Sequence, residues 1–167
     1  MNCLLIVNPA AGQGRPLEAL ETLQATLAPV LGGLIVTQKA GDAECAARTG
    51  AEDGYSGVLV AGGDGTINEV VNGLLAAGTP GGKLPLGLIP LGTQNVLAHE
   101  LGLPLNLEGV LTLLQAGRTR QIDVGLAGSR HFVLMAGFGF DAQVIGEVVR
   151  PMKALLGPAA YAFATVG

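Results

Sequence analysis

Residues 57–69 constrain the fold more than any other part of the chain. Gly57-Val58-Leu59-Val60 reads as a buried strand. The run breaks at Gly62-Gly63-Asp64-Gly65, and apolar residues then return at helical spacing, at Ile67, Val70, Val71, Leu74 and Leu75. Thr66 and Glu69 stand at capping-box spacing, which predicts Thr66 as the helix N-cap. A strand that turns through glycines into a helix aims the first N–H groups of that helix at the turn. Such a turn suits an anion, phosphate above all. Asp64 is the exception within it, because an acid beside a phosphate is repelled unless a metal or a proton transfer accounts for it.

The same strand-to-helix pattern recurs along the chain. Cys3-Leu4-Leu5-Ile6-Val7 is a first buried strand, and it runs into residues 8–15. Pro16 opens a helix with Leu17, Leu20, Leu23 and Leu27 on its inner face, and Pro29 closes it. Leu34-Ile35-Val36 forms a second strand ending at Thr37, and Asp42 is expected to cap a short helix through Ala47. Residues 79–82 form a turn. Leu86-Gly87-Leu88-Ile89 is a fourth strand, followed by Pro90-Leu91-Gly92-Thr93-Gln94-Asn95 and by helices over about residues 96–101 and 107–115. Strands alternating with helices predict a parallel sheet with helices on its faces. Ligands of such sheets lie at the carboxyl ends of the strands. Four of those ends carry polar or glycine clusters, at residues 8–15, at Thr37, at 62–66 and at 92–95, and are expected to converge on one crevice.

After Gly117 the pattern changes. Ile122, Val124 and Leu126 alternate with polar or small residues, Gly128-Ser129 turns the chain, and residues 131–135 return, which reads as an antiparallel hairpin. Residues 141–149 look helical, and residues 161–167 end without a polar tail. A hairpin with one or two helices is too little for an independent core. The expected organisation is therefore a Rossmann-like α/β domain over residues 1–120, with helices on both faces of its sheet. The start of a truncated, β-rich second domain is expected over 121–167. Hydrophobic residues make up 49% and charged residues 13%, which supports a packed core rather than disorder.

Several function classes are excluded or weakened. A net charge of −4 argues against a nucleic-acid binder that relies on a basic surface. Cys3 and Cys45 stand apart, with no CxxC, and are read as reduced, buried thiols of a cytoplasmic protein. No signal-peptide pattern opens the chain, and no apolar run approaches the ~20 residues needed to span a bilayer, so any membrane contact is expected to be peripheral. Gly12-Gln13-Gly14 begins like a dinucleotide fingerprint, but Leu17 stands where its third glycine belongs, and Thr37-Gln38 offers no acid for a ribose. Gly82-Lys83 is followed by Leu84, and no glycine stands five residues before Gly82, so there is no Walker loop. His99 and His131 lack partners at triad or ligand spacing and are read as structural. Arg15 and Lys39 fit either surface solvation or phosphate neutralisation, and Asp123 either a solvated strand edge or a site.

Taken in order, these residues resemble a known family. Asn8-Pro9-x-Ala-Gly12, Thr37 with Gly41-Asp42-Ala43, residues 62–69, and Pro90-Leu91-Gly92-Thr93-x-Asn95 follow the order and spacing of the diacylglycerol kinase catalytic domain. Ile122-Asp123-Val124-Gly125 and residues 137–142 resemble the start of that family's second domain. The resemblance implies an ATP-dependent kinase that phosphorylates the hydroxyl of diacylglycerol or a similar lipid. Such an enzyme would be cytoplasmic, would meet its substrate at a membrane surface and could act as a homodimer. It implies that Asn8, Thr37, Gly62, Gly63, Asp64, Gly65, Thr66, Ile67, Asn68, Gly92, Thr93 and Asn95 hold ATP. Asp64 would either serve a Mg2+–phosphate cluster or deprotonate the acceptor. Val96 stands where many members carry an aspartate after Asn95, and the later Asp-Gly-Glu motif is missing, which implies that these 167 residues alone lack a complete active site. An NAD kinase-like enzyme and a non-catalytic nucleotide-binding regulatory module are the alternatives.

Overall fold

The computed structural model of the protein describes residues 2–78 and 84–136. The chain divides into two compact units, Met1–Val133 and Leu134–Gly167. The first holds every helix and strand among the described residues, and the expected domain junction at 120/121 falls within it. The expected turn at 79–82, the motif at 137–142, the helix at 141–149 and the stretch 161–167 lie outside the described residues.

Strand β1, Cys3–Val7, is buried along its whole length. Strands β2 (Leu31–Val36), β3 (Gly57–Gly62) and β4 (Leu86–Pro90) complete a four-stranded parallel sheet in the order β2-β1-β3-β4. Helices α1 (Arg15–Glu18), α2 (Leu20–Leu27), α3 (Asp42–Glu52) and α4 (Asp64–Ala76) lie in the connections, and α5 (Val96–Glu100) and α6 (Leu107–Ala116) follow β4. A short antiparallel hairpin, β5 (Gly125–Ala127) and β6 (Arg130–Phe132), comes next. This is the α/β architecture expected from the alternation of strands and helices.

Strands covered on both faces have no polar side, which is why β1 and β3 read as unbroken apolar runs. Alternation along the strands then divides the core into two layers. Cys3, Leu5, Val7, Leu59, Ala61 and Ile89 pack with Leu23 and Leu27 of α2 and with Val110 and Leu111 of α6. Leu4 faces the other way, towards α3, where a Cβ on Gly50 would lie 2.6 Å from Leu4 Cδ2. Helices α3 and α4 approach so closely that a Cβ on Gly73 would collide with Glu44 O. The buried Ala43, Ala46 and Ala47 allow that approach. Leu5, Ile6, Leu23 and Ile67 are fully buried, and each contributes about 1.5–3 kcal/mol by leaving water.

Several local expectations are corrected. The first helix breaks at Ala19 into α1 and α2, so Leu17 lies off the inner face and is 55% exposed, while Leu23 and Leu27 are buried. Leu75, on the margin of the α4 stripe in its last turn, is also exposed. Strand β2 starts three residues earlier than expected. Its Gly32 and Gly33 lie under Tyr55, whose Cε1 would be 3.2 Å from a Cβ on Gly32. Helix α3 runs on to Glu52, and its N-cap is Gly41, in the left-handed region at φ 89°. Asp42 caps nothing in α3. Its Oδ2 accepts from the N–H of Gln38 at 2.8 Å and of Lys39 at 3.0 Å, closing the loop before the helix. Thr66 is not the N-cap of α4 either, because Gly63 holds that position and Thr66 lies inside the first turn. Cys3 is buried as expected, but Cys45 is exposed.

Candidate functional site

In the strand order, β1 and β3 are neighbours whose connections leave to opposite faces, and an open parallel sheet takes its ligands at such a switch. The register brings the strand ends onto one line, since Val7 pairs with both Val36 and Ala61, and Ala61 with Ile89. The ladder continues one step past the strands. Asn8 N donates to Ala61 O at 2.9 Å, Thr37 N to Val7 O at 2.9 Å, and Leu91 N to Gly62 O at 3.0 Å. Asn8, the buried Thr37, Gly62 and the Pro90 loop thus leave the sheet side by side.

The loop after β1 is shaped by Asn8. Its Oδ1 accepts from Ala10 N at 3.0 Å, an Asx turn, and its Nδ2 donates to Thr66 Oγ1 at 2.7 Å across the switch. The following turn, Ala11–Gly14, carries Gly12, Gln13 and Gly14 in the left-handed region. Gly12, at φ 53°, is pressed onto the β4 exit, and a Cβ there would collide with Leu91 O.

Helix α4 begins at Gly63, in extended conformation, and no side chain caps it. The first intrahelical bond runs from Ile67 N to Gly63 O at 3.0 Å, so the preceding N–H groups have no partner within the helix. Gly63 abuts Gly92: a Cβ on Gly63 would lie 3.2 Å from Gly92 Cα, and one on Gly92 would collide with Gly63 Cα. Glycines 12, 63 and 92 therefore let three loops meet main chain to main chain. Around Gly65, by contrast, a Cβ would meet nothing within 4 Å.

The fourth loop is closed by Asn95, buried and left-handed at φ 52°. Its Oδ1 accepts from Gly92 N at 2.8 Å and its Nδ2 donates to Gly92 O at 3.1 Å. The half-buried Thr93 lies within that ring. Asp64 joins this loop to α4. Its Oδ2 accepts from Val96 N at 3.1 Å and its Oδ1 from Leu97 N at 3.0 Å, so both carboxylate oxygens cap the first turn of α5.

The expected site residues therefore divide. Asn8, Thr37, Gly62, Gly63, Asp64, Thr66, Gly92 and Asn95 are brought together by the contacts above. Ile67 buries its side chain in the core and bonds its N–H to Gly63 O. Asn68 lies a turn further on, where its carbonyl accepts from Asn72 Nδ2 at 2.8 Å. Arg15, Lys39, His99 and Asp123 are exposed. Glu69, expected to complete a capping box, instead accepts from Gly41 N at 3.0 Å and ties the start of α3 to α4. Asn72, which the sequence did not single out, is buried and bonded to the hairpin, and Arg130 Nη1 meets Glu44 Oε2 at 2.7 Å. No local signal marks either contact, since each partner lies dozens of residues away.

The arrangement has the chemistry of an anion site. Uncapped N–H groups at a helix start and glycine main chain at three loops fit a polyphosphate. Among the described residues no group of three His, Cys, Asp or Glu side chains could hold a metal ion, and both oxygens of Asp64 are engaged. The N–H groups of Gln38, then Lys39, hold the Asp42 carboxyl below its ordinary value of 3.8. No helix among the described residues is long and apolar enough to cross a membrane.

The family model of the diacylglycerol kinase catalytic domain matches residues 2–127. The chain is 34% identical over 166 residues to a diacylglycerol kinase of Staphylococcus saprophyticus, covering 94% of this chain and 51% of that one. It is 39% identical over 126 residues to a probable lipid kinase, YegS-like, of Chromohalobacter salexigens, covering 75% and 40% respectively. The fold matches the crystal structure of a diacylglycerol kinase from Bacillus anthracis with a TM-score of 0.69 at 34% identity, covering 78% of this chain and 49% of that one. The chain thus spans about half the length of these relatives or less.

Proposed function

From the premise that the chain belongs to the diacylglycerol kinase catalytic-domain family, we propose that it is the nucleotide-binding part of an ATP-dependent lipid kinase. The enzyme transfers the γ-phosphate to the hydroxyl of diacylglycerol or a similar lipid, presented at a membrane surface to a cytoplasmic protein. The observation that carries this reading is the meeting of Gly12, Gly63 and Gly92 at the strand ends, beside the uncapped start of α4. The match to the diacylglycerol kinase catalytic domain over residues 2–127 supports the choice of acceptor class.

Phosphoryl transfer needs positioning and charge stabilisation more than covalent help from the protein. In this reading the N–H groups of Gly63, Gly65 and Thr66 hold phosphate oxygens, Asn8 and Thr37 line the β1 and β2 exits, and Thr93 faces the nucleotide from the loop that Gly92 and Asn95 close. Ile67 and Asn68 support the α4 start from within the helix. Among the described residues no group of three His, Cys, Asp or Glu side chains could hold a metal by itself, so Mg2+ would arrive with ATP, held by its phosphates and by one or two carboxylates.

A labelled-ATP transfer assay on the intact protein tests the proposal, with diacylglycerol, phosphatidylglycerol, sphingoid bases and NAD offered in parallel. Label is expected in a lipid, with diacylglycerol the first candidate. Transfer to NAD, independent of liposomes, would select the NAD kinase reading instead. ATP binding without transfer to any acceptor would make the protein a regulatory module.

A further inference from the structure

We propose that Asp64 is a positioning residue that clamps the Gly92–Asn95 loop against the start of α4. The inference rests on reading the crevice as a nucleotide site, and it gives the most conspicuous residue of that site a task separate from proton or metal chemistry. Its carboxylate sits in the first turn of α4, yet both oxygens reach α5, accepting from Val96 N at 3.1 Å and Leu97 N at 3.0 Å.

Two observations converge on this role. Helix α5 is a single short turn-and-a-half, Val96–Glu100, and its own N-cap residue, Asn95, gives it no side-chain cap, because the Asn95 amide is turned back onto Gly92. The first N–H groups of α5 therefore depend on a partner from elsewhere, and Asp64 supplies acceptors for two of them. Gly63, the residue before Asp64, is the one that abuts Gly92. Contact and clamp thus act on the same loop from adjacent positions, and together fix the separation of two walls of the crevice. The two N–H bonds use about two of the roughly four lone-pair sites of the carboxylate, so the clamp holds α5 whether or not Asp64 also meets a proton or a metal–phosphate group.

Two variants of the intact protein separate the roles. Asp64→Ala removes both acceptors. Asp64→Asn keeps one acceptor oxygen and serves well at helix starts, but carries no charge and can neither take a proton nor bind a metal as a carboxylate does. If Asp64 is a clamp, amide exchange at Val96 and Leu97 in nucleotide-free protein rises at least about tenfold in Asp64→Ala, a loss of ~1.4 kcal/mol of protection. The Asn variant restores most of it, and the amides of Leu5 and Val60 in the sheet stay at wild-type protection in both. ATP affinity follows the same order, with Asp64→Asn much closer to wild type than Asp64→Ala. Unchanged exchange at Val96 and Leu97 in Asp64→Ala overturns the clamp. So does ATP affinity that stays at the wild-type value in Asp64→Ala, which would leave Asp64 only base or metal chemistry. Should wild type bind no nucleotide at all, the crevice reading fails by itself, while the exchange experiment still decides the clamp.

Discussion

Asn72 holds both main-chain groups of His131 with one side-chain amide. Its Nδ2 donates to His131 O at 2.9 Å, and its Oδ1 accepts from His131 N at 2.9 Å. A buried helix side chain thereby imitates a neighbouring strand and seats β6 on α4. Asn72→Ala should cost about 1–3 kcal/mol in a urea melt, because it leaves a part-buried N–H and C=O without these partners. Amide exchange at His131 should rise while Val60 in β3 keeps its protection. An unchanged His131 amide would show that the hairpin does not depend on Asn72.

Gly65 and Gly92 make opposite predictions. A Cβ on Gly92 has Gly63 Cα in its way and Asn95 Oδ1 at 2.8 Å, so Gly92→Ala should destabilise by about 1–3 kcal/mol and weaken ATP binding together. A Cβ on Gly65 meets nothing within 4 Å, and the residue lies inside α4. Gly65→Ala should therefore leave stability unchanged or raise it by up to ~1 kcal/mol. Phosphate seated against that main chain would still be displaced, so ATP affinity is expected to fall at least tenfold in a titration. Full affinity in Gly65→Ala would move the phosphates elsewhere.

The bond from Asn8 to Thr66 crosses the switch between β1 and β3. Thr66→Val keeps the shape but leaves Asn8 Nδ2 without its acceptor, at a cost of about 1–3 kcal/mol, and Thr66→Ser should recover most of it. A double-mutant cycle with Asn8→Ala should give a coupling of about 0.5–3 kcal/mol. Additive effects of the two substitutions would mean that the pair contributes nothing to stability.

Asp42 gives a pH signature. Its carboxyl is held below the ordinary 3.8 in the folded chain by the N–H groups of Gln38 and Lys39. A depressed folded pKa stabilises above the unfolded value and ceases to do so as pH falls through the folded one. Asp42→Asn should thus lower Tm near neutral pH, and the gap to wild type should close once the pH drops below 3.8 and through the folded value. A gap that persists in acid would assign the loss to packing instead of charge.

Strand positions and the meeting of loops at their ends are legible in the sequence because burial on both faces forces continuous apolar runs, and the glycines that let loops touch follow them. What escapes is decided between segments distant in sequence. Thr66 and Glu69 satisfy capping-box spacing, yet Thr66 bonds Asn8 and Glu69 bonds Gly41, and no rule along the chain reveals those competitors. Gly32 and Gly33 hide the first half of β2, since two glycines read as a loop until Tyr55 is seen to occupy the space above them. The oddity of Asp64 is visible at once, but its partners are 32 and 33 residues away.

The collision that a side chain at position 12 would make with Leu91 O has an implication for protein engineering. Randomising position 12 alone should yield almost nothing functional, since each candidate displaces the β4 exit and, through the adjacent Gly92, the α4 start. Productive variation there has to arrive in pairs, with a change at 91 or 92 rescuing one at 12. The loops should therefore behave as a single epistatic block, exchanged between homologues whole or not at all.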